Sequence, residues 1–163
     1  MTSHLDVMAF LRELGLDEEL ETFSGRIRIQ KTVYLLKAFG ANMKFGYRWY
    51  YRGCYSPLLT KTLFESDPPG QRAERDLSSH ELRIVSEVRK FLEQDFYSAD
   101  RMELIASLLY LVRHGSDYGL TTKGEVVGFL REEKPRYTLQ EIEEVWDRIV
   151  KARRWDDYLA KFR

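Results

Sequence analysis

The chain has 163 residues, 44% of them hydrophobic and 32% charged, which is the composition of a folded globular protein with one continuous core. Lys plus Arg balance Asp plus Glu at 26 each, so the chain lacks the overall basic field that is typical of nucleic-acid-binding proteins. The only cysteine, Cys54, excludes an intramolecular disulfide and a cage of several thiolates. Aromatic residues make up 13% of the chain, enough that we expect some rings on a binding surface.

Membrane and export signals are missing from the sequence. No apolar run approaches the about 18 residues that a membrane-spanning helix needs. The segment Met1–Asp6 has neither a basic region nor an apolar one of the kind that begins a signal peptide. We therefore expect a cytoplasmic protein that does not contact a membrane.

The first elements predicted along the chain are two helices. Ser3 and Asp6 form a capping box before an apolar stripe at helical spacing, and Gly15 follows that stripe. The run from Arg26 to Phe39, closed by Gly40, is apolar around most of its circumference. We expect this second helix to be central and largely buried.

An extended arm is predicted next, between Lys44 and Tyr55. Aromatic residues alternate here with polar or smaller ones, a period of two that is typical of a strand. A lone strand is not stable, so we expect a small β-hairpin or an irregular arm. The alternation predicts a buried face of Tyr47, Trp49 and Tyr51 and an exposed face of Arg48, Tyr50 and Arg52.

The rest of the chain predicts further helices and one loop. Ser56 followed by Pro57 starts a short helix that ends at about Phe64. A loop is expected over about residues 65–79, which include Asp67-Pro68-Pro69-Gly70. Four later helices are expected to begin at capping pairs, namely Ser78 with Glu81, Asp100 with Glu103, Thr122 with Glu125 and Thr138 with Glu141.

Helical spacing continues in the tail from Trp155 to Phe162. Its aromatic residues are expected either to cap the core or to form a homodimer contact. Taken together, the sequence predicts a mainly α fold. It consists of a single domain over residues 1–163, with about seven helices and a small β-hairpin or extended arm.

Catalytic and metal-binding patterns are absent from the sequence. His4, His80 and His114 are scattered and have no second ligand at a metal-site spacing. Cys54 follows Arg52 closely, but no histidine base is near it in sequence, so a small buried filler beside a turn is the favoured interpretation. The glycines form no phosphate-binding loop. We expect no enzymatic activity, no catalytic residue, no metal and no cofactor.

The segment Tyr47–Tyr55 is the best candidate for a binding surface. Its interleaved aromatic and guanidinium groups are the types enriched at protein hot spots, and they also suit stacking on nucleic-acid bases. The alternative is that about half of the rings simply face the core. The predicted partner-binding residues are Arg48, Trp49, Tyr50, Arg52 and Tyr55.

Two motifs carry a family resemblance, Gln30-Lys31-Thr32-Val33-Tyr34-Leu35-Leu36 and Tyr51-Arg52-Gly53-Cys54-Tyr55-Ser56-Pro57-Leu58-Leu59. With weaker matches at residues 103–111 and 132–146, the chain resembles the YwgA-like family and its relatives with the SocA-like Panacea antitoxin domain, over about residues 5–150. The motif residues are Gln30, Lys31, Tyr34, Gly53, Tyr55 and Ser56. Cys54 stands where the family has a proline, and Arg52 stands where an aromatic residue is common, so this turn lacks the rigidity of a proline.

The resemblance implies a non-enzymatic protein, because Panacea-type domains act as antitoxins or adaptors that bind a toxin. We expect a protein-binding module, an antitoxin or regulatory adaptor in a toxin–antitoxin or phage-defence setting. The alternative is a winged-helix-like transcriptional regulator that contacts nucleic acid through residues such as Arg48 and Arg52. From the residues themselves, Gln30 and Lys31 are expected beside the Gly53–Ser56 turn, where they would bond its backbone. The motif is then either a structural clasp or a binding site.

Overall fold

The computed structural model describes residues 2–65 and 74–162 and shows a mainly α fold with one small antiparallel hairpin, as the sequence predicts. The eight α-helices of these ranges are α1 (His4–Leu14), α2 (Phe23–Ala38), α3 (Pro57–Leu63), α4 (Ser79–Leu92), α5 (Ala99–His114), α6 (Lys123–Glu133), α7 (Leu139–Lys151) and α8 (Asp156–Leu159). The strands β1 (Arg48–Tyr50) and β2 (Gly53–Tyr55) pair antiparallel. Short 3₁₀ helices span Glu19–Glu21, Glu93–Tyr97, Gly115–Tyr118 and Ala160–Phe162.

The chain divides into two compact units, Met1–Met102 and Glu103–Arg163. The single domain expected over residues 1–163 stays a prediction. The predicted loop sequence Asp67-Pro68-Pro69-Gly70 lies outside the described residues. Over residues 2–65 and 74–162, no helix has both the length and the apolarity that crossing a membrane requires.

Helix α2 is the centre of the first unit. All of its residues from Ile29 to Leu36 are buried, because apolar side chains surround the helix and leave no polar stripe for solvent. It contacts both α4 and β2, while α1 contacts α3 and α4. The prediction of a central, buried helix is confirmed.

Capping boxes begin three of the helices where the sequence places them. The pairs Ser3 with Asp6, Ser78 with Glu81, and Thr138 with Glu141 make both reciprocal bonds at α1, α4 and α7. At α6 the Thr122 hydroxyl caps as predicted, but the Glu125 carboxylate bonds to Thr121 instead, accepting from its backbone N–H at 3.2 Å and its hydroxyl at 2.7 Å. Sequence signals therefore define most helix starts of this fold.

The predicted start of α5 at the pair Asp100 and Glu103 is wrong. The helix begins at Ala99, and the Ser98 hydroxyl accepts the backbone N–H of Arg101 at 3.1 Å. Glu103 does not cap because its side chain is only 1% exposed and forms an ion pair with Arg136. A carboxylate that serves a buried cluster is not available at the helix terminus.

Glu103 is the centre of that buried cluster in the second unit. Its carboxylate accepts the Tyr137 hydroxyl at 2.9 Å and the Lys134 ammonium at 3.4 Å, in addition to the pair with Arg136. Burial of a carboxylate is tolerated when several donors satisfy it. The cluster holds the segment between α6 and α7 against α5.

The tail packs within its own unit. Trp155 is buried, and the Phe162 ring lies 6.2 Å from the Trp146 ring. The Arg113 guanidinium lies 5.9 Å from the Tyr158 ring. These contacts agree with the expectation that the tail caps the core, and homodimerisation stays a prediction.

The extended arm follows the predicted alternation and then departs from it at the turn. Phe45 is buried and Lys44 is exposed, but the paired strand β1 begins only at residue 48. Tyr51 is predicted to face the core, and this is wrong, because the side chain is 90% exposed. Tyr51 and Arg52 form the turn between the strands, where side chains no longer alternate between two faces.

Candidate functional site

Gln30 and Lys31 of α2 hold the end of the hairpin. The Gln30 amide donates to the Ser56 carbonyl at 3.0 Å and accepts from the Ser56 N–H at 3.1 Å. The Lys31 ammonium donates to the Cys54 carbonyl at 2.6 Å. The predicted clasp between these two side chains and the turn backbone is confirmed.

The other motif residues shape the same region. Gly53 has a φ of +86°, a conformation that side-chain-bearing residues rarely adopt, so the turn requires glycine here. The Ser56 hydroxyl accepts the Leu59 N–H at 3.3 Å and so caps α3. Tyr34 is buried, and its ring meets the Tyr47 ring edge-on at 5.0 Å. Each of these residues therefore has a structural role.

Burial raises the pKa of the Tyr47 hydroxyl well above its ordinary value, and the neighbouring Cys54 and Tyr34 groups raise it further. The hydroxyl points at the Gln30 carbonyl, 3.5 Å away. Tyr47 is thus held neutral beside the buried Tyr34 ring.

An open groove of about 300 Å³ lies between α2, α3 and the turn, and we call it the hairpin groove. Its walls are apolar side chains and its floor carries polar ones. The lining residues are Leu20, Phe23, Arg26, Ile27, Gln30, Lys31, Arg52, Tyr55, Thr60, Leu63 and Phe64. Phe23 and Phe64 stand at the rim with 57% and 60% of their surface exposed. The groove therefore has exposed aromatic side chains at its edge.

Arg52 links the turn to the groove. Its guanidinium lies 5.2 Å from the centre of the Phe23 ring and 5.7 Å from that of Tyr51, distances typical of cation–π contacts. Beside it, the Tyr50 ring meets the Tyr55 ring edge-on at 5.4 Å. These contacts hold the aromatic and cationic side chains of the turn against one another.

Hydrogen bonds fix the floor of the groove. The Thr60 hydroxyl accepts from the Gln30 amide at 2.9 Å, and it lies 2.6 Å from the Tyr55 hydroxyl. The bonds that hold the hairpin in place therefore also fix the groove residues Gln30, Tyr55 and Thr60.

The groove is positively charged. Its lining includes Arg26, Lys31 and Arg52, and no carboxylate among the described residues lines it. Arg26 donates to the Leu20 carbonyl at 3.0 Å. Across residues 2–65 and 74–162, no carboxylate lies within 4.0 Å of the guanidinium groups of Arg26, Arg48 or Arg52.

The structure does not bring all the predicted partner-binding residues into the groove. Arg52 and Tyr55 line it, and Tyr50 packs on Tyr55. Arg48 is exposed on β1 without lining the groove, and Trp49 is half-buried opposite Cys54 in the hairpin.

Sequence reasoning missed the rim residues Phe23 and Phe64. The predicted helix began at Arg26, so Phe23 lay outside it, whereas α2 in fact starts at Phe23. The signal that marks this start is Thr22, whose hydroxyl accepts the Gly25 N–H at 2.9 Å. Phe64 follows the last residue of α3, and no sequence pattern distinguishes it from a core residue.

No protein-family model, no curated protein and no solved structure matches this chain. The resemblance to YwgA-like and Panacea-type proteins therefore stays a prediction. Among the residues that the structure describes, no group of three or more His, Cys, Asp or Glu side chains could hold a metal ion.

Proposed function

We propose that this chain is a non-enzymatic protein-binding module that docks a segment of another protein in the hairpin groove. The observation that carries the proposal is the pair of exposed rings, Phe23 and Phe64, that flank an apolar groove with an ordered arginine at its edge. Aromatic and arginine side chains at the edge of a pocket are the usual anchors of protein interfaces. Because Arg52 is already stacked on Phe23 and Tyr51, binding loses little side-chain entropy.

The chemistry of the groove supports binding rather than catalysis. Its described lining contains no Cys, His, Asp or Glu that could act as a nucleophile or general base. The Lys31 ammonium is bonded to the Cys54 carbonyl, and the Cys54 side chain is fully buried. The groove therefore offers surfaces and donors for recognition.

The biological setting in this proposal is that of an antitoxin or a regulatory adaptor in the cytoplasm. This part rests on the resemblance of the clasp motifs to Panacea-type domains. It is supported by the fact that three of the motif residues, Gln30, Lys31 and Tyr55, line the groove. In the antitoxin case, the protein that docks in the groove would be a toxin.

A second candidate function is nucleic-acid binding by a winged-helix-like regulator. One observation favours it, namely that the hairpin presents Arg48, Tyr50 and Tyr51 to solvent. Guanidinium groups beside exposed rings suit phosphate contacts and base stacking. Binding of this kind would weaken steeply with rising salt concentration.

The experiment that tests the proposal is affinity capture from the native host with and without nuclease. Three baits are compared: the wild-type chain, the double variant Phe23→Ser Phe64→Ser (the groove variant) and the control Tyr97→Ser. The control removes an exposed ring that lies outside the groove. We expect one protein in stoichiometric amount with wild type and control, resistant to nuclease and lost with the groove variant. Retention of nucleic acid alone would support the regulator instead. A protein captured equally by the groove variant would refute docking in the groove.

A further inference from the structure

The charge and shape of the hairpin groove define the chemistry of the segment that it accepts. Of its lining residues, Arg26, Lys31 and Arg52 are basic and none of the described ones is acidic. Lys31 is only 1% exposed, whereas Arg26 and Arg52 are half-buried, so the two guanidinium groups are the cations that a ligand in the groove can contact. A carboxylate placed there would form the charge-assisted hydrogen bonds that guanidinium groups favour.

The apolar walls add a second requirement. Phe23 and Phe64 face solvent at the rim, and Leu20, Ile27 and Leu63 line the interior. A volume of about 300 Å³ lies at the lower end of the range for ligand sites. That size suits one or two large side chains of a docked segment.

We propose that the groove recognises an acidic, apolar segment of a partner protein, in which a large apolar side chain enters between Phe23 and Phe64 while an adjacent carboxylate pairs with Arg52 and Arg26. This inference rests on the proposed function and specifies its partner. The arginine stacked on Phe23 lies next to the apolar entrance, so a carboxylate close in sequence to the buried side chain reaches both sites.

A polyanionic partner fits the same surface less well. The 3₁₀ helix that carries Leu20 also carries Glu19 and Glu21, and Glu21 is exposed. A phosphate backbone carries charge along its whole length, so it would be repelled at that side of the groove more strongly than a segment whose single carboxylate lies at Arg52. The apolar walls likewise provide burial for side chains and nothing for phosphates.

The test is a selection from a random peptide display library on the immobilised full chain, with Phe23→Ser Phe64→Ser protein used to remove peptides that bind elsewhere. We expect the enriched peptides to share a large apolar residue next to Asp or Glu. In solution, replacing that acid by its amide should weaken binding roughly three- to tenfold. The same selection on Arg52→Glu protein should enrich apolar peptides with a basic residue instead. Circular dichroism and thermal melting check that each variant is folded.

The outcomes separate the two proposals. This inference is overturned if the enriched peptides depend on Phe23 and Phe64 but show no preference for Asp or Glu. It is also overturned if the Arg52→Glu protein enriches the same peptides as the wild type. Either result leaves the docking function standing. If no peptide remains after removal of those that bind the Phe23→Ser Phe64→Ser protein, the docking function and this inference are both overturned. A single-stranded oligothymidine probe that binds the wild type more tightly than any selected peptide, and that loses binding in the Phe23→Ser Phe64→Ser protein, also overturns both, because the groove then binds nucleic acid.

Discussion

The side-chain amide of Gln30 forms a reciprocal pair of hydrogen bonds with the backbone of Ser56, as a neighbouring strand would. The amide N–H lies 3.0 Å from the Ser56 carbonyl, and the Ser56 N–H lies 3.1 Å from the amide oxygen. Both residues are buried. Removing the amide would leave the buried Ser56 N–H without a partner, and the Ser56 carbonyl would keep only the Thr60 N–H, 3.3 Å away.

We therefore expect Gln30→Ala to lower the free energy of unfolding by about 1–3 kcal/mol, the cost of leaving buried polar groups unsatisfied. Urea denaturation followed by circular dichroism measures the change. Gln140→Ala, at an exposed position of α7, is the matched control and should stay within about 0.5 kcal/mol of wild type. Equal effects of the two substitutions would mean that the clasp does not stabilise the fold.

Gly25 allows the 3₁₀ helix Glu19–Glu21 to approach the first turn of α2. A Cβ atom at this position would lie 1.9 Å from the Glu19 carbonyl oxygen, which is part of the backbone and cannot rotate away. This close contact positions Leu20 at the groove wall.

Gly25→Ala should accordingly destabilise the chain by about 1–3 kcal/mol, as overpacking does, and weaken binding in the groove. Gly128→Ala is the control, because Gly128 is an exposed residue of α6 with no atom within 4 Å of its added Cβ. In that open helical position, alanine should stabilise by about 0.5–1 kcal/mol. Thermal melts of the two variants should therefore shift in opposite directions, and a common direction would contradict the close approach.

How far the sequence predicts this fold depends on whether local signals decide each element. Capping pairs and apolar periodicity are local, so α1, α4 and α7 begin where predicted. Glu103 shows where local signals fail. It lies three residues after Asp100, the spacing of a capping pair, but its carboxylate accepts a hydrogen bond from Tyr137, 34 residues away. No local pattern distinguishes the two uses of a glutamate.

The candidate site likewise has one part that the sequence predicts and one part that it does not. The sequence predicts the clasp of Gln30 and Lys31 on the turn, because these two polar side chains of an otherwise apolar helix can bond to a turn backbone. The groove is not predicted, since Phe23 and Phe64 are far apart in sequence and become neighbours of one pocket only through the packing of α2 and α3. The prediction that Tyr51 faces the core is wrong because the predicted alternation continues through Arg52, whereas Tyr51 and Arg52 form the turn.

Tyr47 makes the stability of the protein sensitive to alkaline pH. Burial raises the pKa of its hydroxyl above the value of 10.0 that it has in an unfolded chain. Above that pH the unfolded state releases a proton that the folded state retains, so stability is complete below about pH 10 and is lost as the pH rises through the folded pKa. The loss is up to about 1.4 kcal/mol per pH unit.

Tyr47→Phe removes this titration, so its free energy of unfolding should fall less steeply above pH 10 than that of wild type. Urea denaturation at a series of alkaline pH values measures the slope. Tyr51→Phe is the control, because Tyr51 is 90% exposed and its removal should leave the slope unchanged. If both variants keep the wild-type slope, another group controls alkaline unfolding.

Arg75 joins the capping carboxylates at the starts of α1 and α4. Its guanidinium lies 3.1 Å from Asp6 and 2.6 Å from Glu81. Burial alone would raise the pKa of Glu81, but hydrogen bonds from Arg75 and Ser78 outweigh it and lower that pKa below 4.5. Below pH 4.5 the unfolded state takes up a proton that the folded state resists, so this stabilisation is present above pH 4.5 and is lost as the pH falls through the folded pKa.

Arg75→Met should shift the acid unfolding midpoint to higher pH, because Glu81 then loses its strongest donor and protonates more readily. Arg83→Met removes an equal charge from an exposed position of α4 and is the matched control. Circular dichroism during acid titration measures both midpoints. A midpoint that moves equally in the two variants would show that net charge, and not the bridge between two helix starts, sets the acid stability of this unit.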